Sequence, residues 1–513
     1  MRILAGTMGV ILLSIPVHAQ TVKTPVACEA LSSLKLANTT IALATSVPAG
    51  TLRLSAGGPV AADLVLNDLP AFCRVSATLK PSPDSDINIE VWMPTSGWNG
   101  KFQAVGNGGW AGTIAYATPI PRSLATALRR GYATAGTDTG HTGNSGSFAL
   151  GHPEKLIDFG HRAVHDMTVA AKAIIAAYYG GGPRLSYWNG CSNGGRQGLM
   201  EAQRYPADYD GILAGAPGNY WTRMVTSSLW IAHASLKDRT NYLPPEKYPA
   251  LHKAVLDACD ARDGVSDGVL ENPRSCRFDP RVLQCSAGDA ATCLTASQID
   301  TAHKIYGPVT NPRTGATLFP GLQPGSEMGW ARLAGGPDPD SAPVDHFKYI
   351  VFKNPDWDYR TLNFDTDVTL ADQIDGGTIN AIDPDIGPFV SRGGKLLMYH
   401  GWNDPLIPPE NTISYYTSVV DRLGVERISS SVRLFMLPGV NHCGGGDGPS
   451  DFDGIAALDR WVEQKTPPQR IPASQLTDGK IGRTRPLCPY PQVARYRGKG
   501  STDEAANFAC SAN

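Results

Sequence analysis

The chain has 513 residues and a mass of 54.6 kDa, enough for one large core or for two domains. Its formal net charge of −2 and pI near 6.6 come without a basic run or an aromatic–basic stripe, which argues against nucleic acid as a partner. With 42% hydrophobic residues it is globular rather than disordered, and its 55 glycines and 40 prolines demand many loops.

The first residues read as a secretory signal. Arg2 supplies positive charge, Ile3 to Val17 is mostly apolar, and Val17-His18-Ala19 resembles a cleavage site. Residues 1–19 are therefore expected to be removed, leaving a mature chain that begins near Gln20 and is secreted or periplasmic. No other segment approaches the roughly 20 apolar residues that a spanning helix needs, so no membrane is expected for the mature form. The ten cysteines, an even number in an oxidising compartment, point to disulfides. C-x2-C pairs, which a zinc site would favour, are absent. Composition and spacing leave the pairing open.

Strands and helices alternate through the first part of the chain. Residues 87–94, Lys101 to Val105 and Tyr132 to Gly136 read as strands, and the second of them runs into Gly106-Asn107-Gly108-Gly109. Apolar residues at Val164, Met167, Ala171, Ile174, Ile175 and Tyr178 have helical spacing, stopped by Gly180-Gly181-Gly182-Pro183. A strand at Leu185 to Trp188 then meets a helix at Arg196 to Arg204 through Gly190-Cys191-Ser192-Asn193-Gly194. This G-x-S-x-G between strand and helix is a nucleophile elbow. It presents the Ser192 hydroxyl at the sheet edge and frees the Asn193 amide to donate to an oxyanion. The second donor is expected from Gly108 or Gly109, because glycine lets the backbone approach a substrate closely.

After the strand Gly211 to Gly215, the alternation fails from about Pro217 to about Pro388. That stretch is rich in Pro, Gly, Asp and Trp and holds four of the ten cysteines. So long an irregular stretch does not suit one layer, so it reads as an inserted lid over the active-site edge. The rhythm returns with a strand at Lys395 to His400, a helix from about Glu410 to Leu423, a strand at Val432 to Leu437 and a helix around Ile455 to Glu463. Strands alternating with helices imply an α/β fold with a mainly parallel sheet. The expected division is 20–217 and 389–513 for an α/β-hydrolase domain in two parts, with the lid at 218–388.

An elbow serine needs a base, and the base needs an orienting carboxylate. In α/β-hydrolases they follow in the order Ser, Asp/Glu, His, after late strands. Asp404 follows the strand that ends at His400, and His442 follows the strand that ends at Leu437. His400 competes as base, but it precedes the acid. Cys191 adjoins the serine and Cys443 adjoins the histidine.

This arrangement resembles the tannase and feruloyl esterase family, which also contains the bacterial hydrolase of mono(2-hydroxyethyl) terephthalate. Gly190-Cys191-Ser192-Asn193-Gly194-Gly195, Gly215-Ala216-Pro217, His400-Gly401-Trp402-Asn403-Asp404-Pro405 and Asn441-His442-Cys443 carry the likeness, which covers nearly all of the mature chain. The resemblance implies the pairs Cys28–Cys73, Cys191–Cys443, Cys259–Cys276, Cys285–Cys293 and Cys488–Cys510. It also implies a structural calcium ion in the lid, held by the side chains of Asp260, Asp263 and Asp267 and the carbonyls of Val265 and Val269. No organic cofactor is called for.

The expectation is a secreted serine esterase for small aromatic esters, feruloyl esterase-like, with Trp221 and Ile407 lining the pocket. Tannase or terephthalate-monoester hydrolase activity is the near alternative, and a peptidase on the same fold a further one. From another class, the alternative is a phenolic- or polysaccharide-binding protein without turnover. Oligomeric state is not readable from the sequence.

Overall fold

The structure, a computed structural model, describes residues 25–58, 60–118 and 122–512. The signal read at residues 1–19 lies outside the described residues. Nine strands form the main sheet: β1 (Thr39–Val47), β2 (Phe72–Leu79), β3 (Ile87–Pro94), β4 (Lys101–Val105), β5 (Ala133–Thr137), β6 (Leu185–Cys191), β7 (Gly211–Gly215), β8 (Lys395–Gly401) and β9 (Val432–Leu437). Their spatial order is β1-β2-β3-β5-β4-β6-β7-β8-β9. The first three strands and β5 pair antiparallel. From β5 through β4 to β9 the sheet is parallel. This is the α/β-hydrolase fold.

Parallel strands buried on both faces read as continuous apolar runs, and all residues of β7 and β8 are buried. Helices cover both faces. On one face α2 (Ala163–Tyr179), α3 (Asn193–Arg204) and α8 (Glu410–Leu423) pack Met167, Ile174, Leu199 and Val419 into a common core with the strands. On the other, α1 (Leu124–Arg129) and α9 (Gly454–Gln464) supply Ala127, Leu458 and Trp461. β1 and β2, not expected from the sequence, add an antiparallel flank. Also unexpected are two hairpins after α9: β10 (Ile471–Thr477) with β11 (Lys480–Leu487), and β12 (Gln492–Tyr496) with β13 (Phe508–Ala512).

The residues between β7 and β8 are less irregular than expected. They contain α4 (Trp221–Leu236), α5 (Tyr248–Cys259), α6 (Ala296–Tyr306) and α7 (Thr366–Asp375). One cluster in this insert surrounds Trp330, with Tyr248, Leu251, Ile299 and Ile305. A second joins Trp221, Val225 and Phe347 of the insert to Trp110 and Phe159 of the sheet half, and so docks the insert over the strand ends. No helix among the described residues is long and apolar enough to cross a membrane.

Candidate active site

The elbow is built by steric exclusion. A Cβ added at Gly190 would lie 2.3 Å from the Gly194 carbonyl oxygen, and one at Gly195 would lie 2.3 Å from that of Gly215. Only glycine permits so tight a passage from β6 into α3. Ser192, between them, has φ 63° and ψ −125°, a backbone conformation that L-residues rarely adopt. Its amide donates to Gly215 at 3.0 Å, which ties the turn to the neighbouring strand. Asn193 opens α3, so its amide is one of the donors that a helix start leaves without an intrahelical partner.

The loop after β4 faces this helix start. A Cβ at Gly106 would lie 2.7 Å from the Gly194 Cα. The Asn107 side chain fixes the loop by donating to the carbonyls of Ala111, Thr113 and Thr137 at 2.8, 3.1 and 2.8 Å. Gly108 and Gly109 both line a cavity with Ser192 and Asn193. Gly109 has φ +56°, and a side chain there would strike Asn144. At Gly108 a Cβ would meet nothing within 4 Å.

Asp404 and His442 meet at the same edge. Nδ1 of His442 donates to Oδ2 of Asp404 at 2.6 Å. The other carboxylate oxygen, Oδ1, accepts from the amides of Leu406 and Ile407 at 2.8 and 3.0 Å. Asp404 is wholly buried. Burial alone would raise its carboxyl, but the charge of His442 and the hydrogen bonds from His400 and His442 prevail and hold it below the usual carboxylate range. The His442 loop packs tightly on the end of β8, since a Cβ at Gly401 would fall 2.1 Å from the Val440 carbonyl oxygen.

The cavity over these residues has a volume of about 650 Å³. Ser192, Asn193, His442 and the Cys191–Cys443 bridge line it beside an apolar wall of Trp221, Met224, Val225, Leu333, Leu406 and Ile407. Both residues predicted for the pocket, Trp221 and Ile407, are in that wall. Arg332 and Asp340, paired at 2.7 Å, add charge to the lining.

All ten cysteines pair, in the five combinations that the resemblance implies. Cys191 and Cys443 have Cα atoms 6.0 Å apart across 252 positions of sequence. A model for the family described as tannase and feruloyl esterase matches residues 73–511. This chain belongs to the tannase and feruloyl esterase family. It is 40% identical to an uncharacterized esterase of Xanthomonas campestris pv. campestris, over 94% of this chain and 91% of that one. A probable feruloyl esterase B-2 of Aspergillus oryzae is 34% identical, over 92% and 93%. The crystal structure of feruloyl esterase B from Aspergillus oryzae superposes with a TM-score of 0.88 at 31% identity, covering 94% of this chain and 99% of that one. Tannin acyl hydrolase from Aspergillus niger shares the fold, with a TM-score of 0.77 at 23% identity over 96% and 94%. The protein is thus a carboxylic ester hydrolase of this family.

In this esterase the loop after α5 gathers the acidic residues assigned to calcium. Asp260 accepts from the amides of Asp267 and Gly268, Asp263 from those of Val265 and Glu271, and Asp267 from that of Val269. Burial, with Asp267 and Asp260 close by, pushes the Asp263 carboxyl up to about 6. This concentration of hard, negative oxygens suits a calcium ion. The three carboxylates are not all within 4.8 Å of one another, and Asp267 is also paired with Arg485. Val269 packs on the His442 loop, 3.0 Å from where a Cβ of Gly439 would be.

Arg196 and Arg122 carry no sequence signal for the site, and His400 was expected only as a rival base to His442. Arg196, fully buried, donates to Asn193 Oδ1 at 2.7 Å and to the carbonyls of Phe159, Gly160 and Ile379. Burial lowers its guanidinium to about 9. It ties the start of α3 to the insert. Arg122, which lines the same cavity, donates to the Cys443 carbonyl at 3.3 Å and to the Tyr399 hydroxyl. His400 lies behind Asp404 rather than beside Ser192. Its place in the strand signalled nearness to the acid, but only the fold shows which atoms it touches.

Proposed function

We propose that this esterase is a serine enzyme that cleaves esters of aromatic acids through an acyl-enzyme. One observation carries the reading: the Asp404–His442 hydrogen bond of 2.6 Å at the edge of a cavity that the elbow Ser192 also lines. With Nδ1 committed to Asp404, Nε2 of His442 takes the Ser192 proton as the serine attacks the ester carbonyl. The amides of Asn193 and of Gly108 or Gly109 stabilise the oxyanion. His442 returns the proton to the leaving alcohol, then activates the water that releases the acid. The wall that contains Trp221 and Ile407 offers a flat acyl group apolar and aromatic contact, and relatives named feruloyl esterase support an aromatic acid.

We further propose that Asp260, Asp263 and Asp267, with the carbonyls of Val265 and Val269, hold one calcium ion that stiffens the insert. Five disulfides support export to an oxidising compartment. Labelling by a fluorophosphonate tests the mechanism, with methyl hydroxycinnamates, methyl gallate and mono(2-hydroxyethyl) terephthalate as substrates. Label on Ser192 and turnover of at least one aromatic ester are expected. Ser192→Ala should lose both, with a fall in kcat of about 10³-fold or more. A folded Ser192→Ala protein with near-normal turnover would end the assignment.

A further inference from the structure

His400 is the last residue but one of β8, four positions before Asp404, and its side chain is wholly enclosed. Its ring makes three polar contacts. Nδ1 lies 2.7 Å from the Thr412 hydroxyl of α8. Nε2 lies 2.9 Å from Oδ2 of Asp404 and 3.1 Å from the Ile407 carbonyl oxygen. An ionised carboxylate and a carbonyl can only accept, so Nε2 carries the hydrogen. Nδ1 is then free to accept from Thr412. His400 is therefore turned away from the serine and donates to the acid.

Oδ2 of Asp404 is the atom on which both histidines converge, His442 at 2.6 Å and His400 at 2.9 Å. The orienting carboxylate of the proposed triad thus shares one oxygen between two donors, while its other oxygen is held by two backbone amides. Four donors leave Asp404 no freedom to rotate. They also spread its negative charge, so that His442 receives only part of it. The groups facing the His400 ring are few: the titratable Asp404 in the turn after β8, His442 across the same oxygen, and the uncharged Thr412 hydroxyl on α8. Arg122 touches the carbonyl of Cys443, the residue after His442.

We infer that His400 is a positioning residue for ester hydrolysis, one that fixes Asp404 against His442 and limits the charge Asp404 lends to the base. The inference rests on the Ser192–His442–Asp404 reading. Its sign follows from the shared oxygen. Removing the His400 donor leaves more of the Oδ2 charge to the His442 imidazolium, so more acid-side activity is lost. Removing it also lets the carboxylate swing, and small misplacement of a catalytic group is costly.

The test uses the full-length enzyme, with kcat, KM and the pH profile of kcat/KM for one aromatic ester. His400→Phe should lower kcat about tenfold to 100-fold with KM within about twofold, as expected of lost positioning rather than lost binding. The acid limb of its pH profile should move up by about half a pH unit or more, reflecting the stronger hold on the imidazolium. His400→Gln, whose amide can still donate to Oδ2, should restore most of the rate and the wild-type limb. If His400→Phe does not fold, Thr412→Val serves instead: it releases the ring while keeping the donor, and should give a smaller change in the same direction. A folded His400→Phe or Thr412→Val protein with unchanged kcat and pH profile would overturn the inference. Retained activity in Ser192→Ala is a separate result, which removes the triad reading itself and leaves the His400 variants to be judged on the wild-type serine.

Discussion

The strand ends and the insert above them are held by different means. At the ends of β6, β7 and β8, backbones are in direct contact. A Cβ at Gly190, Gly195 or Gly401 would fall 2.3, 2.3 and 2.1 Å from the Gly194, Gly215 and Val440 carbonyl oxygens. The insert has such contacts too, as at Gly321, where a Cβ would fall 2.3 Å from the Gly307 oxygen, but it adds buried side-chain networks. Lys247, almost wholly buried, reaches Asp289, Gln298 and the Cys293 carbonyl. Glu327, wholly buried, holds His252 and Tyr306 at 2.7 Å each. Two short disulfide loops, of 17 and 8 positions, lie within it, Cys259–Cys276 and Cys285–Cys293. Backbone contact permits almost no choice of residue, whereas side-chain networks can be built in many ways. One region therefore carries its chemistry in fixed motifs and the other does not.

The sharpest way to break this contrast is to cut the covalent link that serves the strand ends. Cys191 and Cys443 each adjoin a residue of the proposed triad, and their bridge spans 252 positions. Replacing both with alanine should leave a folded protein, because Leu397, Leu458 and Trp461 still fill the core that the two sulfurs adjoin. Turnover should fall strongly, by about 100-fold if the His442 loop shifts by an ångström. Circular dichroism and steady-state kinetics check the two halves of this expectation. Unchanged kcat would mean that backbone packing alone fixes the base.

The contrast also explains what was legible. Strands β3 to β9 and helices α2, α3, α8 and α9 could be read from apolar runs, helical spacing and glycine punctuation. Ser192, Asp404 and His442 stood out because each follows a strand within a fixed motif. The insert helices did not, since α5 begins at Tyr248-Pro249 and the chain between helices is stitched by polar contacts rather than by a repeating stripe. The role of His400 was illegible for a related reason: its partners Thr412 and Ile407 come together only when β8 and α8 pack.

Calcium should separate the two regions by stability rather than by chemistry. Chelation is expected to lower the melting temperature of the insert through lost ligand linkage, and saturating calcium should restore it. Because Val269 packs on the His442 loop, a smaller, reversible fall in activity should accompany it. Calorimetry with and without chelator, together with metal analysis of the undialysed protein, tests both. Absence of calcium and an unmoved transition would refute the assignment.

The smallest expected effect lies in the sheet half, at a buried acid that lacks the partners of the insert's polar groups. Glu201, on the helix that Ser192 begins, is 1% exposed, and neither carboxyl oxygen has a hydrogen-bond donor. Burial first, and then the neighbouring Asp208, push its carboxyl well above the usual range. Asp208 is itself engaged by His165 Nδ1 at 2.7 Å. A folded-state value raised above the unfolded one means that folding favours the neutral acid. Its contribution to stability is fully present below the unfolded value of about 4.5 and is lost as pH rises towards the folded value. Glu201→Gln keeps the shape, supplies a permanent donor towards Asp208 and removes that loss. The variant should melt about 1–3 °C higher than the wild type at neutral pH, a shift scaled for a chain of this size. The difference should vanish or reverse near pH 4, where the wild-type acid is protonated in both states. Turnover should not change, because Glu201 lies at the far end of its helix from the serine. A variant that melts lower at neutral pH would show that Glu201 is native as a charged, partnered carboxylate.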